Sequence, residues 1–412
     1  MKILVFTIMI MVCFSSIAQL SSKDSLARHN FYEAQKQTNQ SFNDFFNQNL
    51  AALYGADETT FIRKIDSLRN TFILPLDKLK KTNPGIGNSW YEEQYTELNY
   101  TFDKFILDYV PVHKRITGKE VIPGKSTKTR LANINISNAS LLKYEAFRQF
   151  LQSVLEQKLE KELDINREKY RSSDNQRLDA GLVTLRQLFS NSAIQSRMRY
   201  ELLRHHIENY GVKNISSQIH SLRQSAKDIV LRQKLDSLYN EGLAGRKGHL
   251  IETYKQIGDT HLDLHIFEPA EKKTNRPAII FFHGGGWSEG MPDWFFSSCE
   301  AYAKKGWVAV AVEYRLRNRH GSLPPAAIED GKSAIRYLRN NASRLNIDTS
   351  RIVASGNSAG ANLALATAVI DTLDKLSEDL GVSSRPDAVM LNSVSTDFTN
   401  GDFWQQYIQD KS

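Results

Sequence analysis

Gly356-Asn-Ser-Ala-Gly360 leaves the chain almost no conformational choice. Ahead of it Arg351-Ile-Val-Ala-Ser355 reads as a short strand, and behind it Ala361-Asn-Leu-Ala-Leu-Ala-Thr-Ala-Val-Ile370 is a strong apolar helix former. A strand must therefore become a helix within a few residues. Glycines on both sides of Ser358 let the two elements approach closely. The turn lifts the serine hydroxyl to the helix N-terminus, where backbone N–H groups and the helix dipole favour developing negative charge. The spacing G-x-S-x-G alone recurs by chance. Here it gains weight from the strand before it, the helix after it and a second glycine motif upstream.

With 412 residues the chain exceeds one ordinary core, and two domains are expected. Hydrophobic residues make up 41% and charged residues 24%, which excludes a wholly disordered chain. Residues 1–18 read as a secretory signal peptide: Lys2, an apolar run over 3–14, and the small residues Ser16-Ile-Ala18 before Gln19. The run is shorter than the roughly 20 residues that span a bilayer, so no membrane span is expected, and the protein is expected to be periplasmic or secreted. Val12 ahead of Cys13 argues against lipid attachment. Once Cys13 is removed, Cys299 has no partner for an intramolecular disulfide, and its apolar surroundings predict a buried small side chain. No Cys/His spacing suggests a metal, and no cofactor is expected. The formal charge is +7, but bases and acids interleave, as in Gln157-Lys-Leu-Glu-Lys-Glu-Leu163. That is a solvated helix face rather than a nucleic-acid stripe.

Residues 19–241 are predicted to form a separate all-α domain of six to eight helices. Phe61, Ile65, Leu68 and Phe72 recur at helical spacing, as do Leu142, Phe147, Phe150, Leu151, Val154 and Leu155. Breaks are expected at Asn83-Pro-Gly-Ile-Gly87, at Ile122-Pro-Gly124 and at Ser172-Ser-Asp-Asn175. The aromatic spacing through Trp90, Tyr91, Tyr95, Tyr100 and Tyr109 diffusely resembles the helical region that precedes the thioredoxin-like domain in envelope proteins of Bacteroidetes. The resemblance implies no chemistry, because the redox domain is absent, though it leaves room for an envelope partner. His113, His205 and His206 lack acidic or cysteine partners at metal spacing and read as ordinary surface or core histidines. Gly242-Leu-Ala-Gly-Arg-Lys-Gly248 marks a linker over 242–249.

From 250 to 412 the pattern changes to α/β. His261–Phe267 alternates with period two, Pro277-Ala-Ile-Ile-Phe-Phe282 and Trp307–Tyr314 are buried apolar runs, helical text covers 324–345, and a further strand is expected at Asp387–Asn392. Strands alternating with helices predict a parallel sheet covered on both faces. His283-Gly-Gly-Gly-Trp287 directly follows one of these strands. Consecutive glycines leave N–H groups able to converge on an oxyanion. A nucleotide loop is disfavoured, since no Gly-Lys-Ser/Thr follows.

Four features in order resemble the α/β-hydrolase superfamily, in particular the carboxylesterases related to hormone-sensitive lipase. They are His283-Gly-Gly-Gly286, Tyr314-Arg-Leu316, Pro325-Ala-Ala-Ile-Glu-Asp330 and Gly356-Asn-Ser-Ala-Gly360. The resemblance implies Ser358 as nucleophile, the N–H groups of Gly285, Gly286 and Ala359 as oxyanion hole, and a structural role for His283. It also implies acyl transfer from a small-molecule or glycan ester through an acyl-enzyme. Trp287, Trp294, Phe295 and Phe296 beside the loop suit a small acyl group or an aromatic ester, or else simply pack a helix on the sheet. Asn357 stands where the family often has an acid, and Arg317-Asn-Arg319 where it has Ala-Pro-Glu.

The family's acid and histidine follow the serine, yet no histidine follows His320 here. The expectation is therefore a C-terminally truncated domain with a partial sheet, inactive as it stands. Asp397 is a weak candidate for the acid, and His320 for the base. The rival reading is an envelope interaction protein that carries an inactive hydrolase remnant.

Overall fold

The computed structural model describes residues 22–225, 228–271 and 273–394. The expected signal peptide, and Asp397, lie outside them. Among the described residues ten α-helices, rather than the expected six to eight, precede the sheet: α1 (Ser22–Gly55), α2 (Glu58–Thr82), α3 (Asn88–Leu107), α4 (Tyr109–Thr117), α5 (Lys125–Ala132), α6 (Glu145–Asn166), α7 (Gln176–Leu188), α8 (Ser192–Tyr210), α9 (Ser216–Ser225) and α10 (Ile229–Gly245). The three predicted breaks all fall between helices. Helix starts carry the expected chemistry: Asp57 accepts from Thr60 N ahead of α2, and Asp228 accepts from Val230 N and Leu231 N ahead of α10.

The chain separates into two compact units, residues 1–158 with 188–194, and residues 159–187 with 195–412. The first has an aromatic core in which Phe42, Phe46, Phe61, Phe72, Phe102 and Phe105 are buried together. Phe61 and Tyr109 lie 4.6 Å apart, and Phe46 and Phe105 5.0 Å.

The second unit differs from the domain boundary expected at 242–249, because it begins well before the glycines and includes most of α7 to α10. Nor is the glycine stretch simply a linker. Helix α10 runs through Gly242 to Gly245, and a Cβ on Gly242 would fall 2.5 Å from Val212 Cγ1. That glycine permits a close approach of chain to helix.

The sheet holds β1 (Leu250–Ile257), β2 (Thr260–Phe267), β3 (Arg276–Phe282), β4 (Val308–Val312), β5 (Ile347–Asn357) and β6 (Ala388–Asn392), in the order β1-β2-β4-β3-β5-β6. Strands β4, β3, β5 and β6 are parallel, with Ile280 opposite Val310 on one side and Ala354 on the other. β1 and β2 add antiparallel pairs, so the sheet is mixed rather than wholly parallel. Connections between the parallel strands carry α11 (Phe296–Lys304), α12 (Arg317–His320), α13 (Pro324–Asn340), α14 (Ala342–Leu345) and α15 (Ala359–Val369).

Alternate residues of β3 and β4 feed different cores. Ile280, Phe282, Val308, Val310 and Val312 pack with Ala334, Ile335, Leu338 and Leu363 of α13 and α15. Ile279, Phe281, Ala309 and Ala311 pack with Cys299, which is fully buried on α11. Burial raises the Cys299 thiol pKa, so it stays protonated and unreactive.

The alternation along β2 does not separate a buried face from a solvent face, since Asp263 and His265 are both buried. Asp263 pairs with Lys213 at 2.8 Å, and His265 Nδ1 lies 2.7 Å from His249 Nε2.

Candidate active site

Strand β5 and helix α15 set Ser358 on the sharp turn that the motif requires. Its φ is +54° and ψ −120°, a region that costs a residue with a side chain about 1–3 kcal/mol. Neighbours hold it there. Ser358 N donates to Asn392 O at 3.0 Å, and Asn362 N donates to Ser358 O at 3.0 Å. The flanking glycines are obligatory for contact reasons. A Cβ on Gly360 would lie 1.9 Å from Phe282 O, and one on Gly356 2.4 Å from Gly360 C. Ser358 itself is exposed, at the start of α15.

The glycine loop lies against this turn. A Cβ on Gly284 would come within 3.5 Å of Ser358 Cβ and 3.0 Å of Asn357 O. Gly285 adopts φ +104° and Gly286 φ +61°. A Cβ on Gly285 would collide with Glu289 O at 2.0 Å, so the tight turn that closes through Ser288 N and Glu289 N onto Gly285 O admits only glycine. The Ala359 N–H opens α15 and has no carbonyl one helical turn earlier to bond. Gly285, Gly286 and Ala359 thus occupy the two backbone segments that meet at Ser358.

His283 is wholly structural in its contacts. It is buried, its Nδ1 lies 2.8 Å from Gly284 O, and burial lowers its pKa to about 4. Gly290 completes the loop, a role that no sequence motif signals. Its φ is +119°, and a Cβ there would fall 2.2 Å from His283 Nδ1. The only available hint was an isolated glycine just past the glycine run.

His320 does not read as a base. Its Nδ1 accepts from Leu316 N at 2.9 Å, and burial holds its pKa well below the usual imidazole range. Among the described residues no imidazole or carboxylate hydrogen-bonds the Ser358 hydroxyl. His113 Nδ1 bonds Tyr54 O at 2.7 Å, His205 pairs with Asn209, and His206 packs on Tyr210. Of the aromatics beside the loop, Phe295 stacks on Phe281, Phe296 packs on His265 and Phe267, and Trp287 is buried. Trp294 alone of the four is exposed.

The remaining motifs form a buried ion cluster rather than chemistry. Asp330 accepts from Arg315 N, Nε and Nη2 at 3.0, 2.8 and 2.7 Å, and Lys255 Nζ approaches it at 2.8 Å. Glu329 Oε1 lies 2.7 Å from Lys255 and 2.9 Å from Arg315. This cluster ties the chain after β4 to the start of α13 and to β1.

A strand–serine–helix turn beside a glycine loop, on a mainly parallel sheet with helices on both faces, defines an α/β-hydrolase domain. Residues 264–412 match the family described as BD-FAE. Among curated proteins, the chain is similar to carboxylesterase NlhH of Mycobacterium tuberculosis, 34% identical over 30% of this chain and 37% of that protein. It is also similar to an arylesterase of Saccharolobus solfataricus, 30% identical over 35% of this chain and 47% of that one. Among solved structures, Thermogutta terrifontis esterase 2 phosphonylated by cyclosarin is 39% identical, covers 36% of this chain and 57% of its own, and has a TM-score of 0.36. Over the matched residues the domain is similar in sequence to these carboxylesterases. The chain spans 37% and 47% of the length of those two curated relatives.

Proposed function

We propose that the protein is an exported serine carboxylesterase that cleaves short-chain acyl esters, including glycan-linked ones, through an acyl-enzyme on Ser358. The observation that carries this reading is the seating of the glycine loop on the serine turn, with Gly284 in near contact with Ser358 Cβ. The Ser358 oxygen attacks the ester carbonyl as its proton passes to a general base; all ten histidines of this sequence lie among the described residues, and none hydrogen-bonds the Ser358 hydroxyl. The new C–O bond drives charge onto the carbonyl oxygen, which the N–H groups of Gly285, Gly286 and Ala359 receive. Collapse of the tetrahedral species breaks the bond to the alcohol, which leaves with that proton. Water repeats the sequence on the acyl-enzyme and frees the acid. Export is supported by the signal-like residues 1–18, and glycan linkage rests on exported location together with the open position of Ser358.

The test is hydrolysis of p-nitrophenyl acetate by the full-length protein and its Ser358→Ala variant, with mass-spectrometric mapping of a fluorophosphonate adduct. The variant is expected to lose at least about 1,000-fold in kcat, with the adduct on Ser358 in the parent protein. Retained turnover in the variant, or an adduct elsewhere, would overturn the assignment of Ser358, whereas no turnover and no adduct in the parent protein would favour an interaction role for the helical unit.

A further inference from the structure

We propose that the C-terminal end of α8, through Asn209 and Tyr210, positions the glycine loop for catalysis, so that the site depends on a helix lying ahead of the family-matched residues. The inference rests on the hydrolytic reading of Ser358 and the loop, and adds positioning residues to it.

The loop from His283 to Gly290 is restrained from within and from its surroundings. Internally, His283 bonds Gly284 O. On one side, Arg317 N donates to Trp287 O at 2.9 Å and Asn318 N donates to Ser288 O at 3.2 Å. At the loop's end, Gly290 N donates to Asn209 O at 2.9 Å. Gly290 lies against the His283 ring, where a Cβ would meet Nδ1, so a displacement of Asn209 O is transmitted directly to the histidine that shapes the glycines.

Tyr210 joins the last two restraints. Its ring is buried in the same core as Trp287, Tyr314 and Leu316, and its hydroxyl accepts from Asn318 Nδ2 at 3.2 Å. The next residue, Gly211, has φ +78°, and a Cβ there would sit 3.6 Å from Met291 Sδ. The helix end is itself anchored. Gly211 N bonds Ile207 O at 3.1 Å, and Lys213 just beyond reaches Glu313 at 2.7 Å and Asp263 at 2.8 Å. Arg319, next to Asn318, bonds Asp174 O at 3.0 Å ahead of α7. Both strands of restraint on the loop thus lead back to helices before β1. Oxyanion donors act through placement, and a shift of about 1 Å in such a group costs up to about 100-fold.

The experiment compares full-length wild type with Tyr210→Phe, Tyr210→Ala, Asn318→Ala, the Tyr210→Phe/Asn318→Ala double variant and Ser358→Ala. Turnover of p-nitrophenyl acetate and hydrogen exchange of the peptide spanning 283–291 are measured on each. Tyr210→Phe and Asn318→Ala are expected to lower kcat about 3- to 10-fold with KM within about twofold, and the double variant to fall no further than the worse single. Exchange across 283–291 should quicken in all of these, most in Tyr210→Ala, while the β4 peptide is unchanged. An unaltered kcat with unaltered loop exchange in folded Tyr210→Ala would overturn the proposal. A loss that appears in KM alone would do the same. If Ser358→Ala matches wild type, the hydrolytic reading fails instead, and the loop-exchange comparison still decides whether α8 orders the loop.

Discussion

The His283 ring lies flat on the Tyr314 ring, 4.3 Å between centroids at 17°, and the Tyr314 hydroxyl donates to the His283 carbonyl at 2.7 Å. One residue at the end of β3 is thus gripped by one just past β4, and the grip orients the glycines that follow. Tyr314→Phe keeps the stacking and removes the hydroxyl, leaving a buried carbonyl unpaired at about 1–3 kcal/mol. The expected outcome is a lower melting temperature and a kcat for p-nitrophenyl acetate reduced roughly 10-fold, with KM little changed. Calorimetry and steady-state kinetics on the same preparation check it.

The serine turn should tolerate no added atom at its second glycine. Gly360→Ala places a methyl 1.9 Å from Phe282 O and 2.4 Å from His283 O, both backbone atoms that cannot swing aside. Soluble yield is expected to collapse, or the unfolding midpoint to drop steeply. Gly306→Ala is the control for added bulk alone, because a Cβ there meets nothing within 4 Å, although its φ of +88° carries its own strain. Comparable losses in the two variants would show that the packing argument at Gly360 is misplaced.

Asp330 answers two cations, the buried Lys255 and the partly buried Arg315. Its side chain is fully buried, as is nearly all of Lys255. Asp330→Ala leaves those charges short of a partner and is expected to destabilise the domain by about 3–5 kcal/mol. Chemical denaturation reads this as a lower midpoint at unchanged slope. A change below about 1 kcal/mol would mean that Glu329 alone suffices.

Acid should weaken the fold through His265. Burial first, then the Arg246 charge, lowers its folded pKa to about 3, with His249 and Lys213 adding to the shift and Glu313 opposing it. An unfolded histidine titrates near 6.5, so between these values the unfolded chain binds the extra proton. The stability is complete above about pH 6.5 and is lost as the pH falls toward 3, by at most about 1.4 kcal/mol per pH unit from this group. His265→Phe suits the surrounding Phe267 and Phe296 and should flatten the decline between pH 6.5 and 5. Melting curves at half-unit steps measure it, and parallel declines in parent and variant would assign the acid sensitivity elsewhere.

Much of the site was legible because its causes are local. A strand former, two glycines around a serine and an apolar helix former admit one backbone path, and the Ser358 turn follows that path. The apolar runs of β3 and β4 declared burial on both faces in the same way. The surroundings of Asp263 and His265 were not legible, because alternation along β2 records polarity but not the partner across the strand. Their partners, Lys213 and His249, stand far off in sequence or beyond a turn, and only chain pairing brings them in. The same limit hid the unit boundary. Glycines at 242–248 look like a hinge until Val212 is found against Gly242 and Asn209 against Gly290. The sequence by itself determined the turn, the glycine loop and the strands, since short-range sterics and hydrophobic period decide them. Tertiary structure alone decided which helices belong with the sheet and what holds the loop in place, since those choices are made by contacts between residues that the chain keeps far apart.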